Sequence, residues 1–221
     1  MALEKMVNDI FEESRKKTNK LAIKYINENF SRMIELLKSY EKEATEYMEK
    51  RDTANEKVYQ VAMDVFEQLQ QWKKEPVVQV KIMSSVMSKT NLLGESDIDF
   101  GILLNNFDKL EQVIDGLEKL KFVKTRDHNS QKPEHTYTSL EKKVDGVEIE
   151  LKIRNINFIK NIIKLHDILD NDLSTAEQKY ITYGKFLLKQ NKKVYTRFKC
   201  LVFENYSSTI DDATLFESSS E

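Results

Sequence analysis

The sequence predicts an α+β fold, a small mixed β-sheet backed by helices, with helical segments before and after it. Three observations carry this. Residues 1–75 hold no glycine or proline, and their apolar residues recur at helical spacing. Short β-branched runs take over after Pro76. Helical periodicity then returns beyond Asn155. The expected segments are an N-terminal helical segment (1–75), a sheet-bearing segment (76–156), a C-terminal helical segment (157–206) and a disordered acidic, serine-rich tail (207–221).

In the first segment Phe30, Met33, Ile34, Leu37, Tyr40, Ala44, Tyr47 and Met48 form one apolar stripe, and Val58, Val61, Ala62, Val65, Leu69 and Trp72 a second. A break is expected near Arg51-Asp52, because Thr53-Ala54-Asn55-Glu56 reads as a capping box starting a new helix. These helices pack on the domain behind them or offer an arm to a protein partner. Val77–Met83 and Asp97–Leu104 read as strands, and Asp108–Leu120 as a helix with Asp108 at its cap. A short strand over 121–126 and a polar loop over 127–133 follow. Thr136–Val144 and Val147–Arg154 are expected to pair through Asp145-Gly146, the dipeptide preferred by a type I′ turn. Ser174-Thr175-Ala176-Glu177 is a second capping box, opening a helix towards Gln190, and a last helix is expected over 192–206.

Composition excludes several functions. Net charge is −2, so nucleic-acid contact needs a local patch rather than a basic chain. Cys200 is the only cysteine, which removes intramolecular disulfides and cysteine-based zinc sites, and is expected to be a buried small apolar residue. His128, His135 and His166 lack metal-ligand spacing. No apolar run is long enough to span a bilayer and no signal-peptide pattern is present, which predicts an intracellular, cytoplasmic protein with no membrane partner.

The chemistry-bearing run is Gly94-Glu95-Ser96-Asp97-Ile98-Asp99. Residues two apart on a strand share a face, so Asp97 and Asp99 point the same way, roughly 6 to 7 Å apart. Paired carboxylates need a neutralising cation, and Mg²⁺ suits hard oxygen ligands while leaving room for phosphates. Upstream, Ser84-Ser85 with Lys89 and Thr90 could hold phosphate oxygens. Downstream, Glu148, Glu150, Lys152 and Arg154 share one face of a strand and Val147, Ile149, Leu151 and Ile153 the other. Either glutamate can complete a carboxylate triad, or both are solvent-facing and paired with Lys152 and Arg154.

The stretch from Val77 to Leu104 resembles the signature of the DNA polymerase β-like nucleotidyltransferase superfamily: a strand, a Gly-Ser turn, a short helix, a strand bearing Asp-x-Asp, and a third acid on a later strand. Ser96-Asp97-Ile98-Asp99-Phe100 fits the Asp-x-Asp element. The spacing from Ser85 to Asp97 resembles the poly(A) polymerase and oligoadenylate-synthase-like branches. Ser84 stands where the family has glycine, and its Cβ has less freedom at positive φ.

The resemblance implies a nucleotidyltransferase palm. It also implies two Mg²⁺ (or Mn²⁺) ions held by Asp97, Asp99 and Glu150 (or Glu148), with Ser85 and Ser84 on the β and γ phosphates of a nucleoside triphosphate. Lys185, Lys189, Lys192, Lys193 and Arg197, with Tyr180 and Tyr183, form either a lid on the nucleotide or a solvated helix face with core tyrosines. The expected reaction is nucleotidyl transfer from the triphosphate to an RNA 3′ end or oligonucleotide. The alternatives are a small-molecule or nucleotide acceptor, including cyclic or 2′-linked products, and a non-catalytic binding or regulatory protein.

Overall fold

The computed structural model describes residues 2–16, 19–94, 97–131 and 133–207. Glu95, Ser96 and the acidic tail from 208 onward lie outside the described residues. The elements are α1 (Ala2–Lys16), α2 (Asn19–Lys38), α3 (Glu41–Trp72), β1 (Val77–Ile82), β2 (Asp97–Leu104), α4 (Leu110–Lys119), β3 (Val123–His128), β4 (Tyr137–Val144), β5 (Val147–Asn155), α5 (Lys160–Asp172), α6 (Thr175–Leu188) and α7 (Lys192–Ser207). None of the described helices is long and apolar enough to cross a membrane. The chain forms two compact units, one of residues 1–53 and 167–221, the other of residues 54–166.

The second unit is the α+β body. Its five strands run in the order β1-β2-β5-β4-β3. β2 and β5 are parallel, and the other neighbours are antiparallel. This helix-backed mixed sheet is the predicted α+β fold class. One face is apolar: Ile98, Phe100, Ile102 and Leu104 of β2, Leu140 of β4, and Ile149, Leu151 and Ile153 of β5 are buried. Val58, Val61, Ala62, Val65 and Leu69 of α3 and Val113, Ile114 and Leu117 of α4 cover it in one core. Each side chain so buried stabilises the unit by about 1.5–3 kcal/mol relative to exposure. The opposite face carries the polar alternates at the Asp97 end, while Leu103 on that face is buried in a second apolar cluster with Ile159 and Ile163. Asp145 and Gly146 both have positive φ (50° and 91°), as a type I′ turn requires, so the β4–β5 hairpin forms as predicted.

Three local expectations fail or shift. No break occurs near Arg51-Asp52, because α3 runs unbroken through it. Thr53 Oγ1 donates back to the Glu49 carbonyl at 3.0 Å, as a mid-helix threonine does, and so caps nothing. The interruption lies at Ser39-Tyr40 instead, where Ser39 Oγ donates to the Leu36 carbonyl at 2.6 Å. Asp108 does not cap α4. Lys109 occupies that position without a side-chain bond. The strand expected over 121–126 runs from Val123 to His128, shortening the loop that follows.

The first unit is helical. The Ser174 capping box forms as predicted: Ser174 Oγ accepts from Glu177 N–H at 3.2 Å, and Glu177 accepts from Ser174 N–H at 2.9 Å. Glu41 accepts from Lys179 Nζ and from Tyr180 Oη, tying α3 to α6. Cys200 is half-buried rather than buried.

Candidate active site on the polar face of the sheet

Strand pairing brings Asp-x-Asp and the downstream acids together. β2 and β5 pair in parallel with Asp97 opposite Glu148 and Asp99 opposite Glu150. Because Ile98, Phe100, Ile149 and Leu151 are buried on the core side, these four carboxylates share the polar face. Asp97 and Glu148 are exposed, Asp99 and Glu150 half-buried. All four line one cavity of about 750 Å³, together with Lys121, Lys142, Lys143 and Lys152.

A lysine sits between the two inner acids. Lys152 Nζ lies 2.9 Å from Asp99 Oδ1 and 3.2 Å from Glu150 Oε2. Glu150 Oε1 also accepts from Ser139 Oγ at 2.7 Å and from Arg126 Nη2 at 3.0 Å. The Asp97 and Glu148 side chains make no hydrogen bond or ion pair among the described residues. The two candidate third acids on β5 therefore differ: Glu150 is held by three partners, while Glu148 stands in solvent.

These contacts set the charges. Burial pushes the Asp99 carboxyl above the usual range, and Glu150's charge adds to that, while Lys152 opposes both. Burial also pushes Glu150 upward, but Ser139, Lys152 and Arg126 outweigh it and hold the carboxyl below its usual range. Burial lowers Lys152, yet Asp99 and Glu150 more than compensate, so the ammonium is held above the usual lysine range and stays charged.

Two of the three expected donors converge on one cation position. Asp99 and Glu150 already converge on a single positive atom, and Asp97 lines the same cavity with its carboxylate unengaged. Yet no three acidic, histidine or cysteine side chains among the described residues are placed to hold a metal ion together. The position between the inner acids is taken by the Lys152 ammonium, which sequence reading placed only as a possible partner of a glutamate.

The predicted phosphate-binding turn follows β1. Met83 N–H donates to the Asp99 carbonyl at 2.7 Å, fixing the start of the turn beside the Asp-x-Asp strand. Ser84 is buried, and its Oγ accepts from Val86 N–H at 3.2 Å. It is not among the described residues with positive φ, so its Cβ costs no backbone strain. The Ser85 carbonyl accepts from Thr90 N–H at 2.8 Å, and its hydroxyl makes no hydrogen bond among the described residues. Lys89 takes φ 51°. None of the three lines the carboxylate cavity.

Tyr183, Lys185 and Lys189 belong to the helical unit. Lys185 is buried, Lys189 Nζ lies 4.8 Å from the Phe186 ring, and Tyr183 lines a cavity beside Glu4, Glu12 and Glu43.

No family model and no curated protein matches the chain. Solved structures similar to the chain include the conserved protein GrpB from Enterococcus faecalis, at 17% identity and a TM-score of 0.47, over 67% of this chain and 91% of that one.

Sequence reading missed Arg126, Tyr137 and Ser139. Counting outward from the two-residue turn pairs Ser139 with Lys152 and brings Tyr137 level with Arg154, so that part of the site was accessible to register arithmetic. Arg126 was not. A bulge between Lys124 and Arg126 resets which β3 side chains face the acids.

Proposed function

We propose that the protein is a divalent-metal-dependent nucleotidyltransferase. It transfers a nucleoside monophosphate from a nucleoside triphosphate to an acceptor hydroxyl, with an RNA 3′ end or oligonucleotide as the favoured acceptor. The observation that supports this most is the convergence of Asp99 and Glu150 on one cation position, beside an unengaged Asp97. The acceptor oxygen bonds to the α-phosphorus, the bond from that phosphorus to the bridging oxygen breaks, and pyrophosphate leaves. A bound Mg²⁺ or Mn²⁺ supplies charge stabilisation for the attacking and leaving oxygens. Asp97, Asp99 and Glu150 are the residues that would hold it, with Glu148 at the rim. For that, Lys152 Nζ moves off the carboxylates towards the phosphates, where its charge offsets that of the leaving group. Ser85, with an unengaged hydroxyl, is the residue of the β1 turn assigned to the triphosphate.

A small-molecule or nucleotide acceptor is the second reading. A cavity near 750 Å³ lies within the roughly 300–1,000 Å³ typical of small-ligand sites. Incubation with Mg²⁺ or Mn²⁺, α-labelled nucleoside triphosphates and mixed RNA separates the readings. Extended RNA supports the first and a labelled small product the second. If wild type and Asp97→Asn/Asp99→Asn are equally silent with every acceptor, the transferase reading falls and a non-catalytic role takes its place.

A further inference from the structure

Along the polar face, character changes with strand level. Asp97, Glu148 and Lys143 stand at one end, then Asp99, Glu150 and Glu141. Further on come Lys152, Ser139 and Arg126, and last Arg154, Tyr137 and His128. At that far end three cations surround one ring. The Arg154 guanidinium carbon lies 4.9 Å from the Tyr137 centroid, that of Arg126 5.6 Å, and Lys152 Nζ 5.9 Å. His128 stacks on the same tyrosine, with centroids 5.0 Å apart and planes at 27°.

Three cations are drawn to one ring, and of these Arg126 is bonded to Glu150 and Lys152 to Asp99 and Glu150. Arg154 is half-buried, and burial pushes its guanidinium below the usual arginine range against the pull of Tyr137 and both acids. Arg126 spends Nη2 on Glu150, and among the described residues its other guanidinium nitrogens have no acceptor, with the side chain 56% exposed. A planar fork with donors turned to water matches phosphate oxygens, and an exposed imidazole stacked on a tyrosine offers a ring face to a base.

We propose that Arg126, Arg154, Tyr137 and His128 form a nucleotide subsite at the far end of the polar face, with Arg126 and Arg154 binding a phosphate and the stacked His128–Tyr137 pair a base. Lys152 joins it to the carboxylate cavity, since it lines that cavity and also approaches the Tyr137 ring. The natural occupant is a nucleotide of the acceptor, held with its hydroxyl end towards Asp99 and Glu150. That role rests on the transferase reading. The binding itself does not, because no residue of the subsite is a metal ligand.

The test measures binding without turnover. Full-length protein in EDTA is titrated with adenosine 5′-monophosphate, adenosine and inorganic phosphate, following the His128 and Tyr137 ring signals by NMR. Adenosine 5′-monophosphate is expected to bind tightest and to shift both rings. Arg126→Gln should weaken it about tenfold or more, and His128→Ala by up to about tenfold. Inorganic phosphate should respond to Arg126→Gln and not to His128→Ala. Both variants alter exposed side chains, and an unchanged melting temperature shows that they fold. Equal affinity for adenosine and its monophosphate, or no change in either variant, overturns the proposal. Binding that persists in Asp97→Asn/Asp99→Asn while no acceptor is ever labelled retains the subsite and removes the transferase reading. Turnover by a protein that fails this titration does the reverse.

Discussion

The two faces of the β2–β5 pair are built from alternating residues of the same strands and do opposite things. On one, Ile98, Phe100, Ile149 and Leu151 vanish into a close-packed core. On the other, Asp97, Asp99, Glu148 and Glu150 collect charge that a fold alone has no use for. Burial of the first set supplies stability, while half-burial of Asp99 opposes its own ionisation. The lesson is a division of labour at single-residue resolution. Core-face substitutions should change stability, and polar-face substitutions should change chemistry.

Phe100→Ala probes the core face most severely. It should destabilise the protein by about 3–5 kcal/mol, read from denaturant midpoints. Its neighbour Asp99→Asn should cost far less stability, and comparable losses from both would break the division.

Lys152→Met sharpens the comparison from the polar side. Removing the ammonium between two half-buried acids should cost about 1–3 kcal/mol, chiefly through uncompensated carboxylates. It should also raise the Asp99 midpoint further, measured by carboxyl ¹³C shifts.

The pH dependence follows in sign. Asp99 titrates above its unfolded value, so the native state holds its proton longer. Its contribution therefore falls as pH rises from the usual carboxylate range through the raised folded value. Glu150, held below its usual range, contributes in the other direction: its share is present above the unfolded value and is lost as pH falls through the folded one. In Lys152→Met the Asp99 window should widen upward, and an unchanged profile would show that Lys152 does not govern these acids.

Gly101→Ala should give the smallest effect. A Cβ there would lie 2.6 Å from Met83 Sδ, the flexible end of a side chain that can shift, for a loss of about 1 kcal/mol. Met83→Ala in the same protein should recover most of it.

How much of this was legible in sequence follows from the range of the interactions. Period-two alternation marked β2 from Asp97 to Leu104, and Asp145-Gly146 marked the hairpin, because both are local signals. The Thr53 capping box misled because Arg51 and Asn55 are buried by tertiary packing, which carries α3 through a local stop signal. The pairing of Asp99 with Glu150 depends on a parallel contact between strands about fifty residues apart, which no local pattern encodes. The sequence could propose two candidate third acids. Partnership separates them, since Ser139, Arg126 and Lys152 all reach Glu150 and none reaches Glu148.

The most direct measurement of the central claim is label transfer from α-labelled nucleoside triphosphates, with Mg²⁺ or Mn²⁺, by wild type, Asp97→Asn, Asp99→Asn and Glu150→Gln. The account predicts divalent-dependent labelling of an acceptor by wild type, reduced about a hundredfold or more by either aspartate substitution and strongly by Glu150→Gln. Labelling that survives Asp97→Asn and Asp99→Asn at the wild-type rate would contradict it.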